Sequence, residues 1–295
     1  MGYAEPTLLF AGAEAKRIAA LTSRSGSFEE FLVNAMYSGV AIYDTKRIGT
    51  AVAYELGVEI LNKLGISITS AGYYKILGDG DHDIIEVSLS ELKEKIKKEE
   101  VASFRIYSET EKSRPWHACF GYMTDEFVGF NYIDIQYPSV DGELQNIKEA
   151  FKSMANKLSC SYGINYHGGE VTKVFFYATG DNLVNIYSYE NSSLFKRECP
   201  GRKGLERYRK TMLRMVYPCN IINNHHLSII LKGVTLKEWI LSDMCHGFLE
   251  KLNDKMWLWL VEENELDNIN ECLGEAGVLI SWKPQVAKER TGKLR

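Results

Sequence analysis

The chain has 295 residues, of which 45% are hydrophobic and 25% are charged. This composition is typical of a folded globular protein and argues against disorder over most of the length. A formal net charge of -4 argues against a protein that is basic overall and coats nucleic acid, and no hydrophobic run reaches the roughly 18 residues that a membrane-spanning helix needs.

Two features of the sequence bear on location. The hydrophobic run TLLFAGA near the N-terminus precedes Lys16 and Arg17, which is the reverse of the order in a secretory signal peptide. The six cysteines contain no CxxC pair, and we interpret them as reduced, mostly buried thiols. We therefore expect a cytoplasmic protein that is not associated with a membrane.

Helical patterns dominate the first 100 residues. Ser27 and Glu30 have the spacing of a capping box, and so do Ser88 and Glu91. Residues 46–64 carry hydrophobic side chains at four-residue intervals, which predicts an amphipathic helix. The elements predicted after it are a strand at 66–69 (ISIT), a loop at 78–83 (GDGDHD) and a mostly charged helix that begins after Ser88.

After residue 100 the pattern changes to aromatic and β-branched runs that alternate with single helices. Runs of this composition, separated by polar or turn-like breaks, predict strands. The predicted strands are 101–108, 116–123, 129–138, GINYHGG, KVFFYAT, LVNIYSY, 255–263 and VLISW. The predicted helices are 144–158, 202–216, the TLKEWI segment with a capping box at Thr235 and Glu238, and the segment NELDNINECLGEAG.

Runs of strands followed by single helices favour an α+β fold over a doubly wound parallel one. We predict a mixed, largely antiparallel sheet with packed helices and a helical N-terminal region. The chain would divide into a mostly helical region at 1–100 and an α+β region at 101–295, or it would form one compact domain overall.

Cysteine and histidine residues in the C-terminal third raise the question of a metal. Zinc takes about four nitrogen or sulfur ligands, and Cys219, His225, Cys245 and His246 could supply them. Their spacing is unlike that of zinc modules, and the adjacent His225 and His226 point in different directions on a regular backbone. We therefore interpret VYPCNIINNHHL (216–227) as a connector and expect no metal and no cofactor, with zinc as the minority hypothesis.

The sequence has no GxSxG, Walker A or HExxH pattern. His167 in GINYHGGE lies close enough to Glu170 in sequence for the carboxylate to orient it as a general base. His117 and Cys119 share one face of a predicted strand because they are two residues apart, and we favour core packing for that pair. These residues define an alternative hypothesis, an α+β enzyme or nucleotide-binding protein that uses His167 and Glu170, or His117.

The predicted helix at 202–216 is strongly basic. Its six basic residues stand against a single acidic one, and they are Arg202, Lys203, Arg207, Arg209, Lys210 and Arg214. Such a face can bind an acidic protein or a phosphate backbone, although a solvated helix face has the same composition. Because the whole chain is acidic, a protein partner fits at least as well as nucleic acid, which is the third hypothesis.

Two stretches resemble known proteins. The stretch LRMVYPCNIINNHHLSIILKGVTLKEWI…HGFLEKLNDKMWLWLVEENELDNINECLGEAGVLISW resembles the C-terminal module of uncharacterised bacterial proteins, and SRPWHACFGYM…GFNYIDIQYP resembles bacterial toxin-immunity proteins with mixed α+β sheets. The resemblance brings no catalytic residues and implies a cytoplasmic bacterial protein that works by binding. We predict a non-enzymatic protein of the immunity or antitoxin kind that occludes a partner such as a toxin or effector, with the basic helix and exposed aromatic residues as its contact surface.

Overall fold

The structure is a computed structural model that describes residues 36–45, 48–77, 82–109, 115–139, 143–158 and 160–284. Its centre is a ten-stranded sheet in which all the described strand pairings are antiparallel. The strands are β1 (Tyr37–Tyr43), β2 (Ser70–Ile76), β3 (His82–Val87), β4 (Phe104–Ser108), β5 (Ala118–Met123), β6 (Tyr132–Pro138), β7 (Tyr162–Gly168), β8 (Cys219–Asn223), β9 (Ile230–Leu231), β10 (Val234–Thr235), β11 (Phe248–Lys251) and β12 (Met256–Leu260). The order across the sheet is β11-β12-β8-β7-β1-β6-β5-β4-β2-β3, and β9 and β10 form a separate ribbon.

Helices cover both faces of this sheet. The described α-helices are α1 (Thr50–Lys63), α2 (Leu89–Lys97), α3 (Asp125–Val128), α4 (Glu143–Lys157), α5 (Val171–Thr179), α6 (Ser192–Glu198), α7 (Asn224–Leu227), α8 (Leu236–Ser242) and α9 (Leu266–Glu275). Hydrophobic side chains of α1, α2 and α4 share one core, and those of α5, α6, α8 and α9 share the other. None of the described helices has the length and hydrophobicity to cross a membrane.

The central strand β1 shows why the middle of the sheet is buried on both sides. Val40 and Ile42 pack with α1 and α4, whereas Ala41 and Tyr43 pack with α5. Side chains alternate between the two faces of a strand, so a strand with helices on both faces buries all of them. Strand β1 pairs with β6 on one side and with β7 on the other. A strand from the first 100 residues therefore lies between two strands from the later region.

The predicted fold class, α+β with a largely antiparallel sheet and packed helices, is confirmed. The described residues between 36 and 100 form three strands and two helices. Residues 1–35, which include the capping box predicted at Ser27 and Glu30, lie outside the described residues, as do residues 78–81 of the predicted loop. A mostly helical region at 1–100 therefore stays a prediction.

Most elements predicted from periodicity are present. The helix predicted at 46–64 is α1, and the one predicted at 144–158 is α4. Ser88 is the N-cap of α2, because its Oγ accepts a hydrogen bond of 3.2 Å from the backbone N–H of Glu91. The three strands predicted between 101 and 138 are β4, β5 and β6, which are neighbours in the sheet.

Four predicted strands are wrong, and two of them are KVFFYAT and LVNIYSY. The segment KVFFYAT belongs to α5, and LVNIYSY forms no strand. Helix α5 buries Val174, Phe175 and Tyr177, which face different directions around it. A helix that is buried nearly all round has no polar face to reveal its period, so its aromatic and β-branched residues resemble a strand in sequence. Gly180, with a φ of +75°, ends the helix in the left-handed conformation.

The helix predicted at 202–216 is also wrong. The backbone forms two 3-10 turns, Pro200–Arg202 and Arg207–Arg209, and Lys203 and Glu206 between them have positive φ. The carbonyl oxygen of Glu198, at the end of α6, accepts a hydrogen bond of 3.1 Å from the Glu206 N–H. Contacts to a neighbouring helix therefore determine this segment, and they replace the hydrogen bonds of a regular helix.

Three further segments differ from their predicted secondary structure. Strand β2 begins at Ser70, beyond the predicted strand at 66–69. The VLISW segment contributes isolated bridges, including one between Leu213 and Leu279, and no strand of the sheet. The predicted connector at 216–227 contains β8, whose five residues are all buried, so it lacks the alternation of a half-exposed strand.

Candidate functional site

The histidine of the enzyme hypothesis lies at the end of β7 beside two serines. His167 Nδ1 is 3.0 Å from Ser38 Oγ and 3.4 Å from Ser139 Oγ. Glu170 is not part of this cluster, because its carboxylate accepts a hydrogen bond of 2.6 Å from Lys173 Nζ at the surface. The predicted pairing of His167 with Glu170 is therefore not formed. Ser38 is fully buried, which does not suit a nucleophile that must reach a substrate.

The other candidate histidine directly precedes β5. His117 is half-buried, and its backbone N–H donates a hydrogen bond of 2.8 Å to the Ser108 carbonyl oxygen. Cys119 is fully buried, and its Sγ lies 3.6 Å from Arg105 Nη1. Cys119 is thus a core residue, and the His117 and Cys119 side chains do not form a catalytic pair.

The four residues of the zinc hypothesis do not converge. Cys219 is buried in β8, Cys245 is exposed in the 3-10 turn between α8 and β11, and His225 is exposed on α7. His246 is stacked on the ring of Trp239. Within the described parts of the chain, no group of three or more His, Cys, Asp or Glu side chains could hold a metal ion.

The basic segment 202–214 is partly neutralised by carboxylates of the protein itself. Arg207 forms an ion pair with Glu198, whose two oxygens both accept from the guanidinium. Arg209 Nη2 lies 3.4 Å from Asp44 Oδ1. The exposed lysines of the segment that form no ion pair with a described residue are Lys203 and Lys210. The predicted basic helical face is therefore absent.

Arg214, the last residue of the predicted basic face, is fully buried against α5. Its guanidinium lies over the rings of Tyr177 and Phe195, at 3.7 Å and 4.4 Å from their centroids. Nη1 donates a hydrogen bond of 2.6 Å to the Tyr177 carbonyl oxygen, and Nε lies 3.7 Å from the buried carboxylate of Glu190. Arg214 thus contributes to the core and does not face a partner.

Exposed hydrophobic side chains are concentrated elsewhere. Five of the eleven large hydrophobic side chains that are exposed among the described residues lie between residues 230 and 248. They are Ile230 and Val234 on the β9–β10 ribbon, Leu241 in α8, Met244 in the 3-10 turn after it, and Phe248 at the start of β11. Leu241, Met244 and Phe248 are 65%, 94% and 62% exposed. We call these three residues and the turn between them the α8–β11 surface.

The α8–β11 surface is held by ordered contacts beneath it. The rings of Trp239 and His246 stack with their centroids 3.7 Å apart. His246 Nδ1 donates a hydrogen bond of 2.7 Å to the Trp239 carbonyl oxygen. Trp259 Nε1 donates a hydrogen bond of 2.8 Å to the His246 carbonyl oxygen. These contacts order the backbone that carries the exposed residues.

Helix α8 begins at the capping box predicted from the sequence. Thr235 Oγ1 accepts a hydrogen bond of 3.2 Å from the Glu238 N–H, and a Glu238 carboxylate oxygen accepts one of 2.8 Å from the Thr235 N–H. Leu236 and Ile240 are buried, so they fix which side of α8 faces the core. Leu241 lies outside that buried stripe and is exposed.

Strand β11 forms one edge of the described sheet. It pairs with β12, with Phe248 opposite Leu260, and no described strand lies on its other side. The unpaired N–H and C=O groups of an edge strand can pair with another chain. The α8–β11 surface thus combines large hydrophobic side chains with an edge strand of the described sheet.

Sequence reasoning did not single out these residues. Leu241 lies beside a buried position of α8, and Met244 and Phe248 stand in SDMCHGF, a mostly polar stretch. A hydrophobic residue in a polar turn is the signal that could have identified them. Whether such a residue is exposed or covered depends on which elements pack there.

These features describe an α+β protein with an exposed hydrophobic surface at a sheet edge. No protein-family model matches the chain, and no curated protein sequence matches it. Among solved structures, the chain is similar to the Pseudomonas aeruginosa T6SS protein PA0821, with a TM-score of 0.54 and 13% sequence identity over 94% of this chain and 87% of that chain. At this level of identity the similarity shows a shared fold.

Proposed function

We propose that the protein is a non-enzymatic bacterial binding protein of the immunity or antitoxin kind, which occludes a partner protein such as a toxin or effector. The observation that carries the proposal is the α8–β11 surface, where Leu241, Met244 and Phe248 are exposed on an ordered turn. Large exposed hydrophobic side chains grouped on one surface are typical of protein interaction sites. A cytoplasmic location is part of this proposal.

The fold likeness supports the proposal at a coarse level, because the similar structure is that of a T6SS protein. The competing hypotheses have less support. The enzyme hypothesis lacks the contact between His167 and Glu170, and the nucleic-acid hypothesis lacks a continuous basic face, because Arg214 is buried.

Affinity purification with the tagged full-length chain tests the proposal. We expect the wild-type protein to retain a partner that the Met244→Glu variant loses, because the hydrophobic contact of Met244 is lost and the carboxylate that replaces it must be desolvated. Leu205→Glu is the matched control, since Leu205 is 77% exposed but lies outside the α8–β11 surface. This control variant should retain the partner.

The retained protein is then purified and titrated by calorimetry. We expect the dissociation constant to rise by roughly 30-fold or more in Met244→Glu, which corresponds to the loss of an interface hot spot of about 2 kcal/mol. Retention of the same proteins, in the same amounts, by the wild type and by Met244→Glu would show that the proposal is wrong.

A further inference from the structure

Two carboxylates, those of Asp243 and Glu265, lie in or near the turn of the α8–β11 surface. Asp243 caps the 3-10 turn, and its Oδ1 accepts a hydrogen bond of 2.9 Å from the Cys245 N–H. The turn packs against the end of β12, where the indole of Trp259 bonds to the carbonyl oxygen of His246. The chain after β12 carries three carboxylates, Glu262, Glu263 and Glu265. Of these three, Glu265 lies close enough to the turn for its charge to act on Cys245.

The pKa of Cys245 is affected by carboxylates from two parts of the chain. The negative charge of Asp243 raises the pKa of Cys245, and the charge of Glu265 adds to this effect. Because Cys245 follows Met244 directly, these charges act where the hydrophobic surface is most exposed. Among the described residues, no lysine or arginine forms an ion pair with Asp243, Glu262, Glu263 or Glu265. The described lysines and arginines therefore do not neutralise these carboxylates by ion pairs.

Building on the proposed function, we infer that the partner presents a basic segment carrying a large hydrophobic side chain to the α8–β11 surface. The hydrophobic side chain packs against Met244 and Phe248, and lysine or arginine residues of the partner meet the nearby carboxylates. Carboxylates that form no ion pair with a described lysine or arginine attract a cationic segment and repel an acidic one, which sets specificity and association rate. The net charge of -4 acts in the same direction at longer range.

Two synthetic peptides serve as the probe. They share the same leucine residues, and one carries lysines where the other carries glutamates. Binding to the full chain is measured by fluorescence anisotropy at low and at physiological salt. We expect the lysine peptide to bind on the order of ten-fold more tightly at low salt, and the difference to shrink as salt screens the charges.

Charge-reversal variants locate the effect. The double variant Glu263→Lys with Glu265→Lys, which reverses the charge that acts on Cys245, should weaken binding of the lysine peptide by about ten-fold. Its control is Glu55→Lys with Glu99→Lys, which makes the same change in net charge at exposed carboxylates on α1 and after α2. The control pair should leave the affinity close to that of the wild type. Met244→Ser should also weaken binding, because the hydrophobic contact is lost.

Equal affinity for the two peptides, or an equal loss in both double variants, overturns the inference. The proposed function is still supported in that case if the wild type captures a partner that Met244→Glu does not. The absence of any Met244-dependent partner overturns the proposed function itself. Circular dichroism and thermal unfolding of each variant establish that a loss of binding is not a loss of fold.

Discussion

His226 is fully buried at the start of α7, while the adjacent His225 is exposed, so the two histidines do point in different directions as predicted. His226 Nδ1 accepts a hydrogen bond of 3.2 Å from the Asn223 N–H, and Nε2 donates one of 2.8 Å to the Tyr208 carbonyl oxygen. Burial lowers the pKa of His226 from 6.5 to about 4. The imidazole therefore joins β8 to the irregular segment before it as a neutral ring.

This burial predicts a pH-dependent stability. Because the pKa of His226 is lower in the folded state, the unfolded state takes up the proton first as the pH falls. The contribution of neutral His226 to the free energy of unfolding is complete above about pH 6.5, and it is lost progressively as the pH falls towards 4. Between about pH 7.5 and pH 5, we expect this residue to reduce the free energy of unfolding by about 2 kcal/mol. Urea titrations at the two pH values measure the loss.

The His226→Asn variant is the comparison for this experiment. It should be less stable at pH 7.5 because it lacks the buried hydrogen bonds, but its loss on acidification should be smaller than that of the wild type by about 2 kcal/mol. The pKa of Glu59 is lowered to about 2 by hydrogen bonds from Lys157 and Lys63, so this carboxylate loses its stabilising effect below this range. An unchanged pH dependence in the variant would contradict the prediction.

The element that presents the proposed binding surface is the short connection from α8 to β11, and Gly247 determines its path. Gly247 has a φ of +96°, a conformation that residues with a Cβ rarely adopt. A Cβ there would overlap the carbonyl oxygen of Leu260 and lie 3.0 Å from Trp259 Nε1. The turn therefore packs so closely on β12 that it leaves no space for a side chain.

Gly247→Ala should be costlier than the same change at Gly233. Gly233 has a similar φ of +97°, but a Cβ there would meet nothing within 4 Å. We expect Gly233→Ala to cost about 1 kcal/mol through backbone strain alone, and Gly247→Ala to cost at least about 2 kcal/mol because the turn must also move. Chemical denaturation measures both, and only Gly247→Ala should weaken partner binding. Equal costs would show that the contact with β12 is unimportant.

On the scale of the whole molecule, the sheet joins the two regions into which the sequence was divided. Strand β1 lies between β6 and β7, and its side chains enter both cores. Residues 36–100 cannot separate from the later residues without exposing the centre of the sheet.

We therefore expect one cooperative unfolding transition. Far-UV circular dichroism and intrinsic fluorescence should give coincident urea curves, because the tyrosines and tryptophans of both cores unfold together. An earlier, separate transition that removes the signal of α1 and α2 alone would favour two independent domains and contradict this expectation.

The sequence by itself determined the elements whose local residue pattern is strong, either helical spacing of hydrophobic side chains or an aromatic and β-branched composition. Helices α1 and α4 follow from hydrophobic side chains at helical intervals, and β4, β5 and β6 follow from aromatic and β-branched runs between breaks. The helix caps at Ser88 and Thr235 were also predictable, because capping depends on a side chain and a backbone group only three residues away.

Only the tertiary structure decided the remaining features, because they depend on contacts between residues far apart in sequence. Helix α5 is buried nearly all round and thus has no polar stripe to mark its period. In the sequence Arg214 belongs to a basic segment, but its guanidinium lies in the core over the rings of Tyr177 and Phe195 and beside the carboxylate of Glu190. The exposure of Met244 could not be predicted from the sequence either. A hydrophobic residue is free to bind a partner only where no other element of the same chain covers it.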